Sequence, residues 1–133
     1  MKFRVGSGAV VLILMLLLFG CQDSAPPVAE LEIEPSRLEL PYPGFLNLRL
    51  RWRIKSALAE VEGEPLVFVH LLDEPGSVMR TFDHRLKFDW EPGRSREYEI
   101  TLYQSGLAPP LSAGDYHLTV GLYDTSGRRW PLA

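Results

Sequence analysis

The chain has 133 residues, with 14 Lys and Arg against 17 Asp and Glu and a formal net charge of −3. That length suits one hydrophobic core rather than several. The acidic balance is the wrong sign for a nucleic-acid face, which needs clustered Lys and Arg, and a single cysteine excludes an internal disulfide.

The N-terminus reads first as an address. Lys2 and Arg4 precede residues 9–19, Ala-Val-Val-Leu-Ile-Leu-Met-Leu-Leu-Leu-Phe, which carry no charge. A basic head, a short apolar run and a small residue form the layout of a secretory signal. A membrane-spanning helix needs about 20 apolar residues, so an uncleaved anchor is the weaker reading of this run. Leu18-Phe19-Gly20-Cys21 resembles the bacterial lipobox, with Phe19 larger than usual at its position. The resemblance implies that residues 1–20 are a lipoprotein signal peptide cut before Cys21. It implies that the Cys21 thiol becomes a thioether to diacylglycerol and that the new N-terminus is acylated, palmitate being an expected chain. Two or more acyl chains hold a protein stably on a bilayer, whereas one is marginal. Gln22, where an Asp retains lipoproteins at the inner membrane, implies an outer-membrane address facing the periplasm. Cleavage removes Lys2 and Arg4 and leaves 12 basic and 17 acidic residues, a net charge of −5.

Residues 21–29 read as the lipidated cysteine and a short stiff linker containing Ser24, Ala25, Pro26 and Pro27. The domain proper is expected over 30–133. There, Pro and Gly recur at short intervals between stretches of five to ten apolar-rich residues, which is the pattern of a sandwich or barrel. Residues 29–34 alternate Glu with apolar side chains. Residues 46–55 alternate strictly, with Leu46, Leu48, Leu50, Trp52 and Ile54 against Asn47, Arg49, Arg51, Arg53 and Lys55, so one face is core and the other wet. Lys55 to Glu62 is the best helical candidate, and it reads equally as a loop or a strand extension. Residues 66–72 are almost all apolar, as a central strand would be. Residues 78–84 and 86–90 predict shorter strands. Residues 96–103 place Tyr98, Ile100 and Leu102 inward, 115–124 place Tyr116, Leu118, Val120 and Leu122 on one face, and 128–133 predict a brief last strand. The expected fold is all-β, an immunoglobulin-like antiparallel sandwich of about seven strands preceded by a signal peptide.

Phe68-Val69-His70-Leu71-Leu72-Asp73, Asp83-His84, Trp90-Glu91-Pro92-Gly93 and 116–124 resemble the immunoglobulin-like domains of bacterial envelope proteins and of the ends of some membrane glycosyltransferases. The resemblance covers about 64–132 and implies the fold. It names no catalytic residue. Gly114-Asp115-Tyr116 is similar to the tyrosine corner of such sandwiches. Related domains continue into a longer final strand, so the last edge here is expected to be weak or completed by another chain.

The basic stripe Arg49, Arg51, Arg53 and Lys55 is the strongest surface candidate, for anionic headgroups, lipopolysaccharide phosphates or an acidic glycan. The competing reading is cross-strand neutralisation by Glu30, Glu32, Glu34, Glu97 and Glu99, each pair worth about 0.2–1 kcal/mol. Tyr123 and Trp130 are expected to be exposed near the C-terminus and to offer an interaction surface. His70, His84 and His117 match no recognised metal spacing, so no metal site is expected. Asp83-His84 lacks a nucleophile elbow or oxyanion loop, so no enzyme activity or cofactor is expected. The expected function is a lipid-anchored envelope protein whose sandwich docks a protein partner, by strand addition at the open last edge. The alternative is a glycan- or lipopolysaccharide-binding module. The membrane is reached through lipid on Cys21.

Overall fold

Strict alternation over eleven residues produces the strand on which the others assemble. In the computed structural model, which describes residues 25–133, β2 (Gly44–Ile54) buries Leu48, Leu50, Trp52 and Ile54 and turns Arg49 and Arg53 to water. The expected signal peptide, the lipobox and Cys21 lie outside the described residues.

β2 is the middle of a three-stranded antiparallel sheet, between β1 (Ala29–Glu34) and β6 (Ser95–Gln104). The second sheet runs β4 (Val78–Thr81), β3 (Leu66–Leu72), β7 (His117–Tyr123) and β8 (Arg129–Trp130), with β5 (His84–Arg85) also paired to β3. The protein is an all-β sandwich of two antiparallel sheets. The order β1-β2-β6 facing β3-β7-β8 is that of immunoglobulin-like domains. The described residues form eight strands, two of them only two residues long, in keeping with the expected count of about seven, and no helix.

The fold begins slightly before the expected boundary, because Val28 and Ala29 are already buried in the core. The helical candidate over 55–62 is a loop. Its backbone is tied to the β7–β8 turn instead: the Asp124 carboxylate accepts from the Glu62 N–H at 3.0 Å, and Thr125 donates to the Glu62 carbonyl at 2.7 Å. Asp124 also accepts from the Ser126 N–H, the Ser126 hydroxyl and the Arg128 N–H. These bonds, led by that from Glu62, hold its carboxyl below the usual range. Gly63 makes the close approach possible. Its φ is 72°, and a Cβ there would lie 2.7 Å from the Thr125 hydroxyl.

Residues 86–90 do not form the expected strand. Phe82, His84, Leu86, Phe88 and Trp90 all turn toward the core, so packing rather than a ladder holds this segment. Phe88 stacks on Trp90, and both meet the fully buried Trp52 edge-on, with ring centroids 6.3 and 5.9 Å away. Trp90 Nε1 donates to the Ser56 carbonyl at 2.8 Å and closes this end of the core. The tyrosine corner is present: the Tyr116 hydroxyl donates to the Ser112 carbonyl at 2.6 Å.

Two titratable groups, His84 and Tyr98, meet against the core. His84 Nδ1 lies 3.1 Å from the Phe82 carbonyl and Nε2 lies 2.6 Å from the Tyr98 hydroxyl. The arrangement fits a neutral ring that donates from Nδ1 and accepts at Nε2. Burial pushes the His84 pKa down and the Tyr98 phenol up. Below the ordinary histidine pKa the unfolded chain therefore takes a proton that the folded chain resists. Stability is complete above that range and declines as pH falls through it. The urea midpoint is expected to drop between pH 7.5 and pH 5.5, and His84→Gln is expected to remove most of that drop. Equal drops in both chains would remove the assignment.

Candidate functional site

The stripe that alternation placed outside is fully engaged. In register, Glu30 faces Arg53, Glu32 faces Arg51 and Glu34 faces Arg49 across β1–β2, while Glu97 faces Arg51 and Glu99 faces Arg49 across β2–β6. Arg53 reaches Glu30 at 2.8 Å, and Lys55 pairs with the same carboxylate. Arg49 meets Glu99 at 3.5 Å. Arg51 holds three carboxylates, Glu32 at 3.2 Å, Glu97 at 3.3 Å and Glu34 at 3.5 Å. The Glu97 bond leads in raising the Arg51 pKa, and Lys55 leads in lowering that of Glu30. Two hollows on this face are lined by these same side chains. Four cations meet five carboxylates, so the face offers no surplus positive charge to an anionic glycan or lipid. Exposed pairs contribute little singly, but Arg51 separates three like charges. Arg51→Ala is expected to lower the urea midpoint in low salt, with the difference shrinking in 1 M NaCl where the Debye length is about 3 Å. A salt-independent difference would assign the effect to packing.

The three histidines do not converge. His84 faces the core, whereas His70 and His117 lie on the outer side of the second sheet, paired with Thr119 and Leu72. Among the described residues no three His, Cys, Asp or Glu side chains form a group able to hold a metal. Asp83 and His84 point apart. Asp83 accepts from the Val69 N–H at 3.0 Å, lies 3.2 Å from His70 Nε2 and accepts from the Tyr123 hydroxyl at 3.4 Å.

Tyr123 and Trp130 part company. Tyr123 is half-buried on the outer face, its hydroxyl on Asp83 and its ring 6.1 Å from Phe68. Trp130 corrects the expectation of an exposed aromatic pair: it is 9% exposed and packs in the core. The β7–β8 register sets it opposite Leu122, an inward position, and directly opposite residues share a face. Between Tyr123 and the rest of this face, Phe68 lies across Gly121, where a Cβ would come within 2.1 Å of the ring, and the Arg129 guanidinium sits 4.7 Å above it. That ring is therefore engaged by its own neighbours.

The expected open edge of the last strand is also occupied. After Trp130 the chain leaves β7 and bridges β1: Leu132 pairs with Ala29, Ala133 N–H donates to the Ala29 carbonyl at 2.9 Å, and Leu31 N–H donates to Ala133 at 3.0 Å.

The free apolar surface lies elsewhere. Of the eight large hydrophobic side chains exposed among the described residues, seven lie at one end of the sandwich: Leu38, Tyr42, Phe45, Val78, Met79, Tyr103 and Leu107. Strand direction gathers them. β2 starts, β6 ends and β4 starts at this end, while Ala29 opens β1 opposite Ile54 at the other. Phe45 stands directly across from Tyr103. The Tyr42 hydroxyl donates to the Ala108 carbonyl at 3.0 Å, and Arg80 donates to the Pro109 carbonyl at 3.1 Å, so the loop at 105–111 joins the two sheets' contributions. Leu107 is wholly exposed and Phe45 is 67% exposed. Residues 40–48 and 100–114, which build this end, contain no charged side chain. The aromatic content of these stretches was visible in the sequence; their shared location was not, since it depends on the β2–β6 register.

No known protein family, no curated protein and no solved structure matches the chain.

Proposed function

We propose that the chain is a lipid-tethered, non-enzymatic docking module of the bacterial cell envelope, held by lipid on Cys21 and binding a protein partner through the apolar end of its sandwich. The observation that carries this reading is the concentration of seven exposed hydrophobic side chains at one end, four of them (Tyr42, Phe45, Tyr103 and Leu107) on two uncharged segments. Isolated exposed hydrophobics are ordinary, whereas a gathered patch marks an interaction surface. Tyr and Phe are favoured anchors at such surfaces.

Position supports the same reading. The linker joins at Ala29, beside Ile54, and Phe45 lies nine residues away along β2. At about 3.3 Å per residue this is roughly 30 Å. A tether at Cys21 then leaves the apolar end directed away from the membrane that holds it. The Phe45, Tyr103 and Leu107 segments carry no charge and the Arg80 guanidinium is taken up by main-chain carbonyls, so the matching partner is a protein with an apolar surface. The glycan or lipopolysaccharide reading loses its chief support, because the cations of the stripe are neutralised.

A photo-crosslinking residue at Leu107, in native membranes, is expected to yield one dominant protein adduct. That adduct is expected to vanish in the Phe45→Ser/Leu107→Asp double variant, whose folding should be unchanged because both side chains are exposed. Persistence of the adduct in the double variant, or co-purifying lipopolysaccharide without a protein, would overturn docking at this end. The tether has its own test. Cys21→Ser is expected to abolish labelled palmitate incorporation and release the chain from the membrane fraction, whereas a labelled, membrane-bound variant would refute the lipobox reading.

A further inference from the structure

β7 pairs with β3 along all seven of its residues, His117 to Tyr123, but with β8 only at Leu122 and Tyr123. The cause is the turn of the chain toward β1. Continuing the β7–β8 register would set Leu132 opposite Val120, but Leu132 pairs with Ala29 instead. Pro131, at the point of departure, has no N–H for a ladder. Among the described residues, nothing pairs with His117 to Gly121 on that side.

Which main-chain groups face the open side follows from the neighbouring strand. Val69 directs its N–H to Asp83 and its carbonyl to the Phe82 N–H, both on the β4–β5 side. Alternation in an antiparallel ladder then turns His70 toward β7, where its partner is Thr119. Thr119 thus points its main chain at β3, and Leu118 and Val120 point theirs away. The hairpin agrees: Asp124 N–H donates to the Arg128 carbonyl, which puts Asp124, Leu122, Val120 and Leu118 in one series. Two N–H and two carbonyl groups therefore lie in line along an open edge. The side chains of Leu118 and Val120 point inward from that edge and are only half-buried, packed against the core without cover from a further strand.

Edges left open are commonly guarded by charge. The outer edge of β6 carries Arg96, Glu97 and Glu99 and is flanked by the packed 82–91 segment, through Phe82 on Tyr103, Phe88 on Tyr98 and Arg96 on Glu91. Residues 117–121 of β7, His-Leu-Thr-Val-Gly, contain neither Lys, Arg, Asp nor Glu.

We infer that the β7 edge is a second binding site, which takes an extended polypeptide segment by antiparallel strand addition. The ligand class follows from the geometry, since in-line donors and acceptors at strand spacing are satisfied by another strand. Residues of the added segment opposite Leu118 and Val120 share their inward face and are apolar; those opposite His117, Thr119 and Gly121 face water and are polar. The ligand is thus an uncharged stretch with apolar side chains at alternate positions.

The test uses the full chain in detergent and a capped heptapeptide of alternating Thr and Val, read by amide hydrogen exchange. In the chain alone, the Leu118 and Val120 amides are expected to exchange quickly while Thr119 and Gly121 are protected. Millimolar peptide is expected to slow Leu118 and Val120 by about tenfold or more, and a peptide N-methylated at alternate residues is expected to do nothing. Protection of Leu118 and Val120 without peptide, no slowing with it, or slowing along β6 instead would each overturn the assignment. The Phe45→Ser/Leu107→Asp chain is expected to respond to the peptide normally, so failure here and failure of docking at the apolar end are separate results.

Discussion

The register of β2 is the constraint on which the rest of the structure depends. One face of the strand supplies Leu48, Leu50, Trp52 and Ile54 to the core; the other supplies the cations that meet Glu side chains of β1 and β6. A slip of one residue would drive arginines inward and leucines outward. The cost of burying unpaired guanidinium groups far exceeds the small gain of each exposed ion pair. Hydrophobic burial therefore sets the register, and charge pairing agrees with it. Both neighbours are held by the same strand, so the whole first sheet inherits the alignment.

That arrangement also decides which surfaces are left unengaged. The first sheet's outer face is neutralised by its own pairs. The second sheet's outer face is half-closed by local packing, with Phe68 between Gly121 and Arg129 and with Asp83 joining His70 to Tyr123. Among the described residues, the apolar end, where two uncharged segments meet, and the edge of β7 are left without such partners. Each has unsatisfied physical potential of a different kind, apolar area at the end and main-chain hydrogen bonding at the edge.

The strands that alternate were legible in advance. β1, β2 and β6 follow the period-2 pattern closely, and the near-continuous apolar run of β3 matches a strand with neighbours on both sides. The segments that went astray lack a periodic signal or obey distant partners. Residues 55–62 contain good helix formers but are drawn into hydrogen bonds with the turn at 124–128, nearly 70 positions later. Residues 86–90 look like a strand because they alternate, and their even positions do turn inward, yet packing and single hydrogen bonds from Leu86 and Trp90 secure them in place of a ladder. Trp130 sits in a stretch too short to show a face, and the geometry of one turn placed it inside.

The sequence by itself determined the all-β class, the inward and outward faces of the long strands, and the sign of the charges on the wet faces of β1 and β2. These are local properties, because side-chain alternation needs only the pleat of one strand. Tertiary structure alone decided that the stripe is neutralised, that Trp130 is core, that seven hydrophobic side chains share one end, and that β7 keeps an open edge. Each depends on which strands are neighbours, in what register, and where the chain leaves its ladder. No single strand's pattern contains that information, since it arises from pairing between segments far apart in the chain.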